Sequence, residues 1–190
     1  MRISAGQLKG RKIAVKKSSV RGKGDDLRPT SSKVREALFD ILRNDIRGSS
    51  FLDLYAGTGA VGIEALSRGA SGAFFVESDR EASKEISQYI SKMGLDLTTE
   101  VFTETAERFL KRTRIAEMTF DIIFADPPYA SDEIEKIFPL IGAADILQPG
   151  GCLIVEHPSK IKIGVSCGTL RHIKDYKYGD TMLTLYRKES

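Results

Sequence analysis

Asp53-Leu54-Tyr55-Ala56-Gly57-Thr58-Gly59-Ala60-Val61-Gly62 is the stretch on which the fold turns. It separates a short apolar run, residues 50–55, from a helix-forming run, residues 60–68, that Gly69 stops. Its glycines permit a tight turn and close approach of a ligand to backbone. Strand, glycine loop, helix is the opening unit of a doubly wound α/β sheet.

Outward from this loop the chain keeps alternating. Strands are expected at 73–77, 98–102, 120–125 and 151–156, and helices at 80–93, 105–112 and 132–141. The strands are short and apolar, as parallel strands buried on both faces should be. The alternation predicts a mostly parallel sheet with right-handed crossovers. It breaks at the C-terminus, where runs 170–176 and 182–187 flank Tyr178-Gly179-Asp180 and predict an antiparallel hairpin. On the N-terminal side, runs 2–5 and 12–15 around the turn 6–10 predict a β-hairpin, followed by a polar basic loop over 16–27. Pro29 disfavours helix at Arg28, and Thr30 or Ser31 can cap the helix that follows. That helix carries Val34, Ala37, Leu38, Ile41 and Leu42 on one apolar face, and its region ends at Gly48.

Gly57, Gly59 and Gly62 match the dinucleotide pattern G-x-G-x-x-G, which alone says little. Asp53, four residues before Gly57, changes the reading. A carboxylate there would repel a pyrophosphate. It suits a cofactor with a cationic amino-acid moiety, such as the ammonium and sulfonium of S-adenosylmethionine. Glu77 ends the second core strand, at the carboxyl edge where open α/β sheets bind ligands, and its two oxygens can accept both ribose hydroxyls. Asp79 fits a helix cap better.

Asp126-Pro127-Pro128-Tyr129 follows the fourth core strand at the same edge. An exocyclic amine on a nucleic-acid base is a poor nucleophile, because its lone pair is delocalised into the ring. A site for it must accept both N–H bonds without competing for that pair. The Asp126 carboxylate and the Pro127 carbonyl supply two acceptors, and the prolines remove backbone donors. Tyr129 can stack on the base, for which the ring suffices and the hydroxyl is expected to be dispensable. Neither a metal nor a dedicated general base is required.

Together, Asp-Leu-Tyr-Ala-Gly-Thr-Gly and Asp-Pro-Pro-Tyr resemble the Rossmann-like amino-methyltransferases. Three further stretches resemble one family: Arg28-Pro-Thr-Ser-Ser-Lys-Val-Arg-Glu-Ala-Leu-Phe, Gly62-Ile-Glu-Ala-Leu-Ser-Arg-Gly-Ala, and Tyr178-Gly-Asp-Thr. So does the opening, Arg2-Ile-Ser-Ala-Gly with Lys9-Gly-Arg-Lys-Ile. The family is the bacterial 16S ribosomal RNA guanine-N(2) methyltransferases. The resemblance implies methyl transfer from S-adenosylmethionine to the 2-amino group of a guanine in 16S ribosomal RNA, within the small subunit or an assembly intermediate. It implies catalytic roles for Asp126, Pro127 and Tyr129. It implies cofactor contacts from Asp53, Tyr55, Gly57, Gly59, Glu77, Thr105, Ala106 and Asp126, and closure of Arg28 and Thr30 over the site. The chain departs from the family pattern at Thr103-Glu104-Thr105-Ala106, where an Asp or Asn is frequent beside the adenine.

The charge distribution divides the chain. Residues 1–48 hold 13 Lys and Arg against 5 Asp and Glu, and the remainder 16 against 21. Basic charge gathered in one segment is the footprint of a polyanionic partner. Residues 1–48 are therefore expected to form an RNA arm and lid, with Lys9, Arg11, Lys12, Lys16, Lys17, Arg21, Lys23 and Arg28 as phosphate contacts. Residues 49–190 are expected to form the methyltransferase domain. No apolar run approaches the ~20 residues of a membrane span. The N-terminus lacks a signal core, and two cysteines make no disulfide framework. A cytoplasmic monomer is expected. His157 and His172 read as structural. The competing readings are a DNA adenine amino-methyltransferase, a nonenzymatic nucleic-acid-binding module and, more distantly, an NAD oxidoreductase.

Overall fold

The computed structural model describes residues 2–13, 32–112, 118–129 and 132–189. Lys16, Lys17, Arg21, Lys23, Arg28 and the expected helix caps Thr30 and Ser31 lie outside them. The elements run α1 (Ser32–Ile41), β1 (Ser50–Asp53), α2 (Ala60–Ser67), β2 (Gly72–Glu77), α3 (Arg80–Met93) and β3 (Thr99–Thr103). They continue with α4 (Ala106–Leu110), β4 (Phe120–Ala125), α5 (Glu133–Ala144), β5 (Leu147–Pro158), β6 (Ser166–Cys167), β7 (Leu170–Tyr178) and β8 (Thr181–Lys188).

One eight-stranded sheet orders these strands β3-β2-β1-β4-β5-β8-β7-β6. The first five pair in parallel, and β8, β7 and β6 add antiparallel strands at one side. The order reverses beside β1, so the carboxyl ends of β1 and β4 flank a topological switch point, where such sheets bind ligands. Successive side chains on a strand face opposite sides, and the core divides accordingly. Leu52, Ile123, Leu153, Val155 and Tyr186 join α4 and α5. Phe51, Ile122, Phe124, Cys152, Ile154 and Leu183 join α1 and α2 instead. Ala73 and Phe75 complete that second side with α2, α3, Ile3 and Ile13. Helices thus cover both faces, as expected for a doubly wound sheet.

The helix punctuation follows local chemistry. The Asp79 side chain accepts from the Ala82 N–H to cap α3, and Gly94 ends it in the left-handed conformation. Thr105 caps α4 by accepting from the Arg108 N–H. β5 runs longer than the expected 151–156, because its outer residues pair with β8 as well as with β4. β6, two residues long, was not expected from the sequence.

The N-terminal turn docks on the end of α2. Arg2 and Lys12 form an antiparallel bridge, and the Ile3 and Gly10 amides bond to the Arg11 and Ile3 carbonyls. Within the described residues this single bridge replaces the longer strand pair expected there. The Gln7 and Leu8 amides donate to the Ser67 carbonyl and hydroxyl, satisfying groups at the C-terminus of α2. Gly6 makes that approach possible. Its φ is +80°, and a Cβ there would sit 1.7 Å from the Ser67 carbonyl oxygen. No helix among the described residues is long and apolar enough to cross a membrane.

Candidate active site

Leu54 leaves β1 with its amide still bonded to the Phe124 carbonyl, and the Ala56 amide bonds to Val76. The glycine loop is therefore anchored to β4 and β2 before it turns. Gly57 and Gly59 both take positive φ, 53° and 73°. A side chain at Gly57 would meet nothing within 4 Å, so the loop presents bare backbone to open space. Gly62 serves packing, since a Cβ there would lie 2.3 Å from the Phe75 ring. The third glycine of the pattern lets α2 settle on β2.

Three carboxylates converge around this loop. Asp53, 1% exposed, accepts the Gly62 amide at 3.1 Å and so braces the start of α2. Burial pushes its carboxyl up to about 7, against the lowering effect of the Gly62 N–H, and the negative charges of Asp126 and Glu77 add to the rise. Glu77 accepts the Gly57 amide at 2.7 Å with one oxygen and the Asp79 amide at 2.8 Å with the other. The Ser78 hydroxyl also reaches Oε1, at 3.5 Å, while Oε2 keeps a lone pair for a further donor. Such a site is negative before any ligand arrives. It fits a cation with ribose hydroxyls and disfavours a pyrophosphate.

The remaining expected cofactor residues stand as follows. The Glu77–Thr103 register places the end of β3 beside Glu77, so Thr105 and Ala106 follow at the same edge. The Thr105 hydroxyl is engaged as the α4 cap, and Ala106 is buried in the core. The half-buried Tyr55 donates its hydroxyl to Glu133 at 3.0 Å, tying the glycine loop to the start of α5.

Asp126-Pro127-Pro128-Tyr129 leaves β4 directly. Asp126 is half-buried, Pro127 buried and Tyr129 40% exposed. Besides the ring that stacking would use, the Tyr129 hydroxyl has partners of its own. It donates to Glu156 Oε1 at 3.2 Å and lies 3.0 Å from the Thr181 Oγ1. Thr181 closes the Tyr178-Gly179-Asp180 turn, so that motif abuts the Asp-Pro-Pro-Tyr segment rather than standing apart from it.

Glu156 escaped the sequence reading. It is 5% exposed, and its Oε2 has no hydrogen-bond partner among the described residues. Burial raises its carboxyl above the usual range, the Asp126 charge raises it further, and the Tyr129 hydroxyl opposes both. The signal that marked Glu77, an acid at the carboxyl end of a parallel strand, applies equally to Glu156. His157 is structural as read, with Nε2 2.8 Å from the Thr184 hydroxyl and burial lowering its pKa. His172 pairs with Asp175 at 3.0 Å. Both cysteines are free thiols. Among the described residues no cluster of three or more His, Cys, Asp or Glu could hold a metal ion.

Comparison with known proteins places this geometry in context. The family model described as "Conserved hypothetical protein 95" matches residues 1–187. The chain is 32% identical over 188 residues to the "Putative rRNA methyltransferase YlbH" of Bacillus subtilis, covering 99% of each chain. It is 33% identical over 157 residues to the "Ribosomal RNA small subunit methyltransferase D" of Haemophilus influenzae, covering 82% of this chain and 78% of the relative. Among solved structures, the "Putative methyltransferase yhhF" from Escherichia coli superposes with a TM-score of 0.85 at 28% identity, covering 100% of this chain and 98% of that one.

Proposed function

We propose, from the premise that this chain belongs to the family described as Conserved hypothetical protein 95, that it transfers a methyl group from S-adenosylmethionine to the 2-amino group of a guanine in 16S ribosomal RNA. The observation that carries this reading is the meeting of Asp53, Glu77 and the Asp126–Tyr129 segment at one carboxyl edge of the sheet. The relatives' names support ribosomal RNA of the small subunit as the substrate.

S-adenosylmethionine supplies an electrophilic methyl on a sulfonium, together with an ammonium and a ribose. Gly57 gives it open backbone, Gly59 turns the loop while packed against Ile86, and Glu77 offers its carboxylate to the ribose hydroxyls. Asp53 braces the loop and adds negative potential that favours a cation. Tyr55, Thr105 and Ala106 border the adenine side. Asp126 and the Pro127 carbonyl accept the two N–H bonds of the target amine and leave its lone pair toward the methyl group. Asp126 also favours the positive charge that develops on nitrogen. Tyr129 offers its exposed ring to the base. The activity belongs in the cytoplasm, where small subunits assemble, and one copy of the chain holds every residue invoked.

The test supplies labelled S-adenosylmethionine with small subunits lacking the modification, their naked RNA, or DNA. Recovery of N(2)-methylguanosine from the small-subunit RNA is expected. Methyladenine from DNA would replace this reading with the adenine one, and transfer to none of the three would leave a binding module.

Residues 1–48 act in this reading as the RNA arm, with Lys9, Arg11, Lys12, Lys16, Lys17, Arg21, Lys23 and Arg28 on phosphates. Lys9, Arg11 and Lys12 are exposed, while Ile3 and Ile13 beside them are buried core. Truncating the arm would therefore damage the fold, and neutralising it is the cleaner perturbation. Replacing Lys9, Arg11 and Lys12 together with Gln should weaken RNA binding. It should flatten the slope of log affinity against log salt by roughly 0.7–0.9 for each phosphate no longer neutralised. An unchanged slope would mean that these charges only solvate the turn.

A further inference from the structure

We infer that Glu156 is a specificity-determining residue whose carboxylate accepts the N1–H of the target guanine while Asp126 takes the adjoining 2-amino group. This rests on the guanine reading above and deepens it. The placement comes from strand register. Ala125 of β4 pairs with Val155 of β5, so Asp126 and Glu156 are the next residues on adjacent parallel strands, at the same edge. The Asp126 charge acts on Glu156 directly. Tyr129 is bonded to Glu156 Oε1, so a base stacked on that ring is brought to the same carboxyl.

The second oxygen is the informative one. Oε2 is buried without a hydrogen-bond partner among the described residues. A buried acceptor left unmade is costly, and such groups cluster where a ligand completes them. For the ionised carboxylate the missing group is a donor. Guanine is the base whose ring nitrogen beside the exocyclic amine carries hydrogen, so its Watson–Crick edge presents N1–H and 2-amino N–H in a row. Adenine and cytosine place a bare acceptor nitrogen beside their amines. Two neighbouring carboxylates match the guanine edge and oppose a lone pair in the other two. A site built to accept a specific N–H rejects the analogue that lacks it.

Only the ionised form of Glu156 can accept through both oxygens. Asp126 and Tyr129 are the titratable groups that act on it from the β4 side. From β8 it meets Thr181 through Tyr129 and Leu183 across the strand pair, neither of which titrates. Its carboxyl is raised to about 8. Activity should therefore climb as pH rises toward that value, below the range where guanine N1 itself ionises.

The experiment measures single-turnover methyl transfer to small subunits lacking the modification, with saturating S-adenosylmethionine, across pH. It compares wild type, Glu156→Gln, Glu156→Ala and Tyr129→Phe, with N(2)-methylguanosine as the product scored. Calorimetry with S-adenosylhomocysteine and thermal unfolding check that each variant binds cofactor and folds. Both Glu156 variants should lose roughly 10- to 100-fold, the loss typical of a hydrogen bond to a charged group. They should also lose the rising limb of the pH profile. Tyr129→Phe should retain that limb and fall less. Two results would overturn the inference. One is a Glu156→Gln protein with the wild-type rate and limb. The other is a Tyr129→Phe protein that matches Glu156→Ala and loses the limb, which would mean that Glu156 acts only by orienting Tyr129. If wild type itself forms no N(2)-methylguanosine while binding cofactor, the functional reading falls and takes the inference with it.

Discussion

Asp126→Ala is expected to leave a folded, cofactor-binding protein whose methyl transfer is slower by ~10²–10³, the usual loss when one preorganised electrostatic contact in a transition state is removed. The residue follows the last buried position of β4, Ala125, and is itself half-buried at the sheet edge, so its removal opens no cavity in the core. Two effects disappear together. One N–H of the target amine loses its acceptor, and the positive charge growing on nitrogen loses a nearby anion. Asp126 also helps to raise the Asp53 and Glu156 carboxyls by like-charge repulsion. Its loss should let both ionise more readily, which moves the pH profile to lower pH while lowering its height. The measurement is single-turnover transfer with both substrates saturating. A folded Asp126→Ala protein with a near-normal rate would reduce the Asp-Pro-Pro-Tyr segment to a stiff turn.

The sheet could be read from the sequence because its strands are short apolar runs separated by helices whose ends are written in single residues. Asp79 caps α3 and Gly94 ends it, as their types predict, whereas Thr105, read as a cofactor contact, caps α4. Asp53, Glu77 and Asp126 were legible for a related reason. A carboxylate at the end of an apolar run is costly to bury unless it is bonded, as the 1% exposed Asp53 is by the Gly62 amide, so it marks the functional edge of the sheet. Glu156 obeys the same rule but went unread, because its run continues into His157 and Pro158 and its strand continues with it. The contact between Tyr129 and Thr181 spans 52 residues and depends on β8 lying antiparallel beside β5. No local pattern encodes that adjacency. The same limit applies to Gly6, whose necessity is visible only once the α2 terminus stands against it.

Glu64→Ala should be the most damaging single change outside the site. Glu64 lies in the stretch Gly62–Ala70 that carried part of the family resemblance, and its reason there is structural. The side chain is 1% exposed. It takes the Arg35 Nε at 2.8 Å and Arg68 at 2.9 Å, and it also accepts from the Ser4 hydroxyl. Arg35, itself 2% exposed, bonds onward to the Arg2 carbonyl at 3.1 Å. One carboxylate therefore fastens α1, α2 and the N-terminal turn to one another. Its pKa is held below the ordinary value: burial opposes this, and the bonds from Ser4, Arg68 and Arg35 outweigh burial. The depressed value fixes the sign of its pH dependence. Its stabilisation is present above the usual glutamate pKa and fades as pH falls through the lowered one. Removing the acid strands the Arg35 charge in the core, and breaking a buried pair in this way costs roughly 3–5 kcal/mol. For a chain of this size that lowers Tm on the order of 10 °C. The turn bearing Lys9, Arg11 and Lys12 should loosen first, since Ser4 and the Arg35 bond to Arg2 tie its base to this carboxylate, so RNA affinity should suffer more than cofactor affinity. Arg35→Met with Glu64→Leu should recover much of the stability, because the buried Arg35 charge leaves with its partner, while Arg68, 19% exposed at its side chain, keeps access to water. Thermal unfolding of the single and double variants decides the matter. Equal destabilisation by both would show that packing volume, and not the stranded charge, sets the loss.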